Sequence, residues 1–141
     1  MNALTRKLAT VGSAVAMAAS SLLLASSPAS AAPSVCNSIT CAGLDPAQTV
    51  CQNDARTVLT SSTGVELRYS PYCRAAWARK SSAVAGHSYR AVNGRYEQWT
   101  VTPNTSGGTV WTRMVDVKDI PSYAADYRPD GTHASDTGWF N

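Results

Sequence analysis

Large aliphatic side chains are scarce in this chain of 141 residues. Beyond residue 31 the only leucines are Leu44, Leu59 and Leu67, and the only isoleucines are Ile39 and Ile120. A chain of that composition buries a modest core and gains from covalent staples. Histidine is nearly absent, with His87 and His133 the only imidazoles. No G-x-S-x-G elbow, phosphate loop or dinucleotide fingerprint occurs, which removes the motif-bearing hydrolases and nucleotide enzymes. The cysteines are spaced C-x4-C, C-x9-C and C-x21-C, without the paired C-x2-C knuckles of a zinc site. No internal repeat or low-complexity tract is present. What the chain does have is valine, threonine, tyrosine and tryptophan, a bias that suits pleated strands.

The stretch Cys51–Cys73 organises the rest. Thr57–Thr60 and Val65–Ser70 read as strands, and Ser61-Ser62-Thr63-Gly64 between them is turn chemistry, with Gly64 at the left-handed position. Pairing about Thr63 puts Ala55, Thr57 and Leu59 on one face with Val65, Leu67 and Tyr69. Arg56, Glu66 and Arg68 take the other. A slip of one residue would mix the two sets. The same register sets Cys51 opposite or diagonal to Cys73, leaving Cys36 and Cys41 as a local pair, although crossed connectivities remain open on sequence alone.

Upstream, Asp45-Pro46 can open a helical turn running through Val50. Downstream, Cys73–Lys80 reads as a strand carrying Trp77 inward, with a short helix as the alternative. His87–Val92 and Arg95–Thr102 flank Asn93-Gly94, a strong hairpin signal. Pro103–Gly108 is a longer turn. Thr109–Val117 is a further strand with Trp111 and Met114 on opposite faces, Asp130-Gly131 marks another turn, and Gly138-Trp139-Phe140 is a docking terminal strand. Strands separated by turns at this interval suggest a small sandwich or barrel with at most one or two short helical turns.

The first 31 residues have the order of a secretory leader: Arg6 and Lys7, then an apolar run from Leu8 to Ala25, then Ala29-Ser30-Ala31. Cleavage is expected between Ala31 and Ala32, since proline at the next position disfavours a later cut. An uncleaved anchor is the alternative, as the run is long enough. Cys36 lacks the flanking residues of a lipoprotein site, and no twin arginine is present. With the leader gone, the formal excess of three positive charges falls to one. Steering towards nucleic acid or a membrane surface therefore finds no support. An asymmetry persists: Arg68, Arg74, Arg79, Lys80, Arg90 and Arg95 share a stretch with acid only at its edge, while most aspartates fall in the last third.

Four cysteines in an exported chain favour disulfides over metal, so Cys36, Cys41, Cys51 and Cys73 are expected to be bridged and no cofactor is expected. Bridged cysteines cannot serve as nucleophiles. His87 and His133 sit in no recognisable base setting, and the acids lie mostly in turns, unlike the paired carboxylates of a glycosidase. One constellation combines arginine with aromatic rings, which can bind anionic polymers or sugars by ion pairing and stacking. Its candidate ligand residues are Arg68, Tyr72, Arg74, Trp77, Arg79 and Arg95. The ordinary reading is that the rings face the core and the charges face water.

The segments Cys41-x-Gly43-x-Asp45-Pro46, Cys51, Asp54-Ala55, Glu66-Leu-Arg-Tyr-Ser70 and Cys73-x3-Trp77-x-Arg79 resemble the YjfA-like domain of unknown function of exported and membrane-anchored bacterial, mainly actinobacterial, proteins. The resemblance covers about half of the mature chain. It implies an extracytoplasmic sensing or binding role, and it brings no established activity. It also implies, for many relatives, a further cysteine pair near the C-terminus; here Asp126 and the Gly138 region stand about where those would fall.

The expectation is thus a 1–31 signal peptide followed by a single all-β domain over 32–141, secreted and monomeric, with no membrane span after cleavage. It would bind a cell-envelope component, either an anionic or carbohydrate polymer or an extracellular protein. The alternatives are a secreted enzyme inhibitor, with Ser61–Gly64 and Pro103–Gly108 as its loops, and a small hydrolase using His87 or His133.

Overall fold

A computed structural model describes residues 31–100 and 102–141. Except for Ala31, the expected leader lies outside the described residues. Residues Ala32–Asn141 form one compact unit.

The first strands follow turn chemistry closely. β1 (Arg56–Thr60) and β2 (Glu66–Ser70) form the expected hairpin, closed by Gly64 at φ 85°. β3 (Ala75–Lys80) adds to β2 antiparallel, so Cys73–Lys80 resolves to a turn and a strand. β4 (Ser88–Asn93) and β5 (Glu97–Trp99) pair across Gly94 and Arg95. The Asn93 side chain accepts the Arg95 and Tyr96 N–H groups and so shapes that turn. Two short strands, β6 (Val110–Trp111) and β7 (Val115–Asp116), both pair with β3. Finally β8 (Ser122–Tyr127) pairs β4, and β9 (His133–Asp136) pairs β8 across a turn with Gly131 at φ 81°. Phe140 bridges back to Ser122 and packs its ring against Tyr69 at 5.3 Å.

The strands make two sheets, β1-β2-β3 with β6 and β7 together, and β5-β4-β8-β9. They face each other as a sandwich without barrel closure. The core between them explains how so few aliphatics suffice. Val65, Leu67 and Val115 meet a set of alanines, Ala76, Ala78, Ala91 and Ala124, with Tyr89 as the largest buried side chain. Small side chains let the sheets approach without a thick leucine layer. The Tyr89 hydroxyl accepts the Val84 N–H at 3.0 Å, satisfying its polar end. Polar ties cross between the sheets as well: Thr63 and Ser61 meet Ser135 at 2.6 and 3.1 Å, and Asn93 Nδ2 donates to the Asp116 carbonyl at 2.9 Å.

Two bulges move side chains from the faces that strict alternation assigns. In β1 the register shifts between Thr57 and Leu59, with Val58 as the extra residue. Leu59 stays opposite Leu67, but Thr57 turns to the polar face, where it donates to Glu66 and accepts from Arg68. Arg56, expected beside Glu66 and Arg68, pairs with Tyr69 instead. The second bulge lies between β6 and β7. Thr112 Oγ1 accepts the Ala78 N–H, and the extra residue breaks what read as one strand, Thr109–Val117, into two. Trp111 and Met114, expected on opposite faces, therefore both meet the N-terminal cap.

That cap covers the outer face of the first sheet. It consists of three short 3-10 turns, Ser38–Cys41, Pro46–Gln48 and Val50–Asn53. The single turn expected from Asp45 to Val50 splits at Thr49: Asp45 caps the first part by accepting the Ala47 N–H, and Thr49 starts the next by accepting that of Cys51. Disulfides join Cys36 to Cys41 and Cys51 to Cys73, with Cα–Cα separations of 5.1 and 5.5 Å. The bridges pack on each other, Cys36 Sγ lying 3.4 Å from Cys51 Sγ. Beneath them are Trp77, Ala75 and Met114, so the cap owns a second core. Asp54 fastens it by accepting the Tyr72 N–H at 2.8 Å and the Ser70 hydroxyl, and Ser38 donates to Asp116 at 2.7 Å.

Two measurements check this arrangement. Trp77→Ala empties the site under the bridges and is expected to cost about 3–5 kcal/mol in denaturant unfolding under oxidising conditions. Opening Cys51–Cys73 releases the hairpin ends and is expected to cost about 3 kcal/mol in the same assay.

Candidate functional site

The six residues singled out from sequence do not share one surface. Trp77 is 4% exposed and belongs to the cap core. Arg68 and Arg79 lie together on the cap side of the first sheet, each already engaged. Arg79 Nε donates to Glu66 Oε2 at 2.7 Å, and Arg68 donates to Thr57 Oγ1 and the Ala55 carbonyl at 3.0 and 2.9 Å. Tyr72 is exposed in the β2–β3 turn. Arg74 sits in that same turn at φ 52° and pairs with Asp119, itself at φ 57°, at 3.4 Å. The two border a cleft of about 340 Å³ with Tyr69, Ile120 and Phe140. Arg95 lies in the β4–β5 turn, on a different surface.

The arginines of the basic stretch are thus mostly neutralised locally. The Glu66 carboxyl is held below its ordinary value chiefly by the Arg79 guanidinium bonded to it, against the opposing effect of partial burial.

The outer face of the second sheet is different. Register places Glu97 and Trp99 of β5 there, with Arg90 and Val92 of β4, Tyr123 and Tyr127 of β8, and His133 and Asp136 of β9. The Arg90 guanidinium carbon stands 3.0 Å from the centre of the Trp99 ring and 3.6 Å from that of Tyr127. Arg90 Nη1 donates to Glu97 at 3.2 Å, while its buried Nε has no partner, so ring stacking together with that one ion pair holds the group. Around this clamp the rings continue. Tyr127 meets His133 edge-on at 5.4 Å, and Trp139 meets Tyr123 edge-on at 4.6 Å. His133 Nε2 lies 3.2 Å from Asp136. Burial pushes the Tyr123 phenol up, so it stays a neutral hydrogen-bonding group.

Trp99 and Trp139 are 44% and 55% exposed on this face. Trp139 stands between two shallow depressions, one of about 420 Å³ bordered by Val92, Arg95 and Glu97, the other of about 190 Å³ bordered by Tyr123, Asp136 and Gly138. Arg90 was visible in the sequence as part of its basic stretch. Tyr123, Tyr127 and Trp139 were not, because the inward positions of β8 are Ser122, Ala124 and Asp126 and give no apolar alternation. The one usable signal was Tyr123 and Tyr127 at strand spacing.

Two other groupings carry chemistry. The four cysteine sulfurs lie within 4.8 Å of one another, a tetrathiolate spacing, but they are spent in the two bridges. His87 Nδ1 lies 2.7 Å from Asp126 Oδ1, with Asp126 buried between the sheets. The contact has the geometry that a base and its orienting carboxylate share in a catalytic triad. Among the described residues no hydroxyl or thiol hydrogen-bonds the other ring nitrogen, and the pair borders none of the described clefts. Asp126 also shows what occupies one place where relatives were expected to have a cysteine: a buried carboxylate bonded to histidine.

These features define a class, a small β-sandwich whose one outer face is sealed by a bridged cap and whose other presents aromatic rings. Residues 39–125 match the model of the family described as a protein of unknown function, DUF2690, and the chain belongs to that family. No curated protein and no solved structure matches it.

The Arg79–Glu66 pair makes a pH-dependent prediction. A carboxyl whose folded pKa is depressed contributes stability above its ordinary value, 4.5, and loses it as pH falls through the folded value. Glu66→Gln is therefore expected to melt below the wild type at neutral pH, with the gap closing under acid conditions below about 4.5, as read by Tm against pH.

Proposed function

We propose that the chain is exported, cut between Ala31 and Ala32, and works outside the cell as a non-enzymatic module that binds a component of the cell envelope, as the YjfA-like resemblance also implies. The observation that carries the reading is the contrast between the two outer faces. On the first sheet the cap buries Trp77 and ties the half-exposed Trp111 to Asp45; on the second, Trp99 and Trp139 stay in water beside a stacked arginine. Exposed indoles clustered on one face mark an interaction surface more often than a solvated one. Two buried disulfides agree with an oxidising compartment. Among the described residues no helix is long and apolar enough to cross a membrane.

The inhibitor reading has rigid loops in its favour, since Thr63 is tied to Lys80 Nζ and Ser135, and Gly107 and Gly108 bond to Ala83. Against it, Ser61–Gly64 and Pro103–Gly108 carry only Ser, Thr, Asn, Gly and Pro and so no aromatic or arginine anchor. The hydrolase reading has the His87–Asp126 pair in its favour and, among the described residues, no nucleophile hydrogen-bonded to it.

Sedimentation with purified bacterial cell-wall sacculi tests the proposal. The mature protein is expected to pellet with sacculi, and Trp99→Ala/Trp139→Ala is expected to remain in the supernatant with little change in Tm. A wild type that stays soluble, or a double variant that pellets equally well, would contradict it.

A further inference from the structure

We infer that the ligand of the second sheet's outer face is an uncharged polysaccharide, an inference that rests on the binding role just proposed. Three properties of the face argue for it.

The first is charge. Arg90 and Arg95 balance Glu97 and Asp136, and Arg90 and His133 are each within 3.2 Å of a carboxylate. A polyanion is held by an excess of unpaired cations and a strong field. This face has neither, and Arg68, Arg74 and Arg79 lie elsewhere, spent on local partners. Charge complementarity selects a neutral partner.

The second is the kind of apolar surface. Protein interfaces bury an apolar core rich in interlocking side chains. Here the outward aliphatics of the paired strands are Val92 and Ala125, and the remaining apolar area is ring. A sugar ring has one face of C–H groups, which are weakly positive and sit against the negative face of an aromatic ring. Trp99 and Trp139 have such area in water.

The third is the position of the polar groups. A sugar carries hydroxyls around its edge, each a donor and an acceptor. Glu97 and Asp136 supply acceptors beside the indoles, and Arg90, pinned between Trp99 and Tyr127, supplies donors without losing side-chain freedom on binding. The sheet spreads these groups across one surface, Glu97 on β5, Arg90 on β4 and Asp136 on β9, which suits an extended chain more than a compact ligand.

The test uses the mature, oxidised protein with soluble neutral probes (cello-oligosaccharides, chito-oligosaccharides and galactan), a charged probe (polygalacturonate), and sacculi before and after hydrofluoric acid, which strips phosphodiester-linked polymers. Tryptophan fluorescence and isothermal titration read the soluble probes. Saturable binding of a neutral probe is expected, unchanged between low and high sodium chloride, and weakened about tenfold or more by Trp99→Ala or by Trp139→Ala. Two separate variants guard against one of them disturbing the Arg90 clamp, and Tm checks both. Stripped sacculi are expected to bind as well as untreated ones. Binding that needs polygalacturonate or the stripped polymers, or that salt abolishes, overturns the inference while leaving an envelope-binding module in place. If untreated sacculi fail as well, the parent reading falls with it.

Discussion

The Cys51–Cys73 bridge holds the open end of the first hairpin, and the Cys36–Cys41 bridge lies directly upon it, 3.4 Å away at the nearest sulfurs. The rest of the architecture depends on this contact. Between them the bridges roof Trp77, turning the outer face of one sheet into an interior. A sandwich whose inter-sheet core is largely alanine has little apolar area to spare. The second core under the cap supplies more, and the bridges restrict the unfolded chain as well.

Sealing one face has a consequence for the other. With three tryptophans of comparable exposure, the chain still treats them differently. Trp111 donates its indole N–H to Asp45 of the cap, whereas Trp99 and Trp139 lie on the uncovered sheet beside Arg90, Glu97 and Asp136. Residues of the family-like motif mostly build the cap: Asp45 caps a turn, Asp54 clamps the β2–β3 turn, and Arg79 neutralises Glu66. They secure the scaffold that leaves the aromatic face free, and they do not themselves form that face.

Much of this was legible in the residues. The hairpin at Ser61–Gly64, its bridge, the turn after Asn93 and the β-rich class follow from local chemistry that acts over a few positions. The errors come from single inserted residues. Val58 moves Thr57 and Arg56 between faces, and the bulge before Met114 brings it to the same side as Trp111. Nothing in the side chains of Val58 or Arg113 announces a bulge, because the extra residue is accommodated by backbone pairing with a partner strand. The aromatic face was hidden for a related reason. Its rings come from β5, β8 and the terminal segment, far apart in sequence, and the linear run of arginines suggested a patch that folding divides among separate surfaces.

Tryptophan footprinting by hydroxyl radicals, with and without sacculi, tests the division of faces most directly. The account predicts that Trp77 stays unreactive in the oxidised protein, that Trp99 and Trp139 react and become protected by sacculi, and that Trp111 reacts alike in both conditions. A reactive Trp77 before reduction, or protection confined to Trp111, would contradict it.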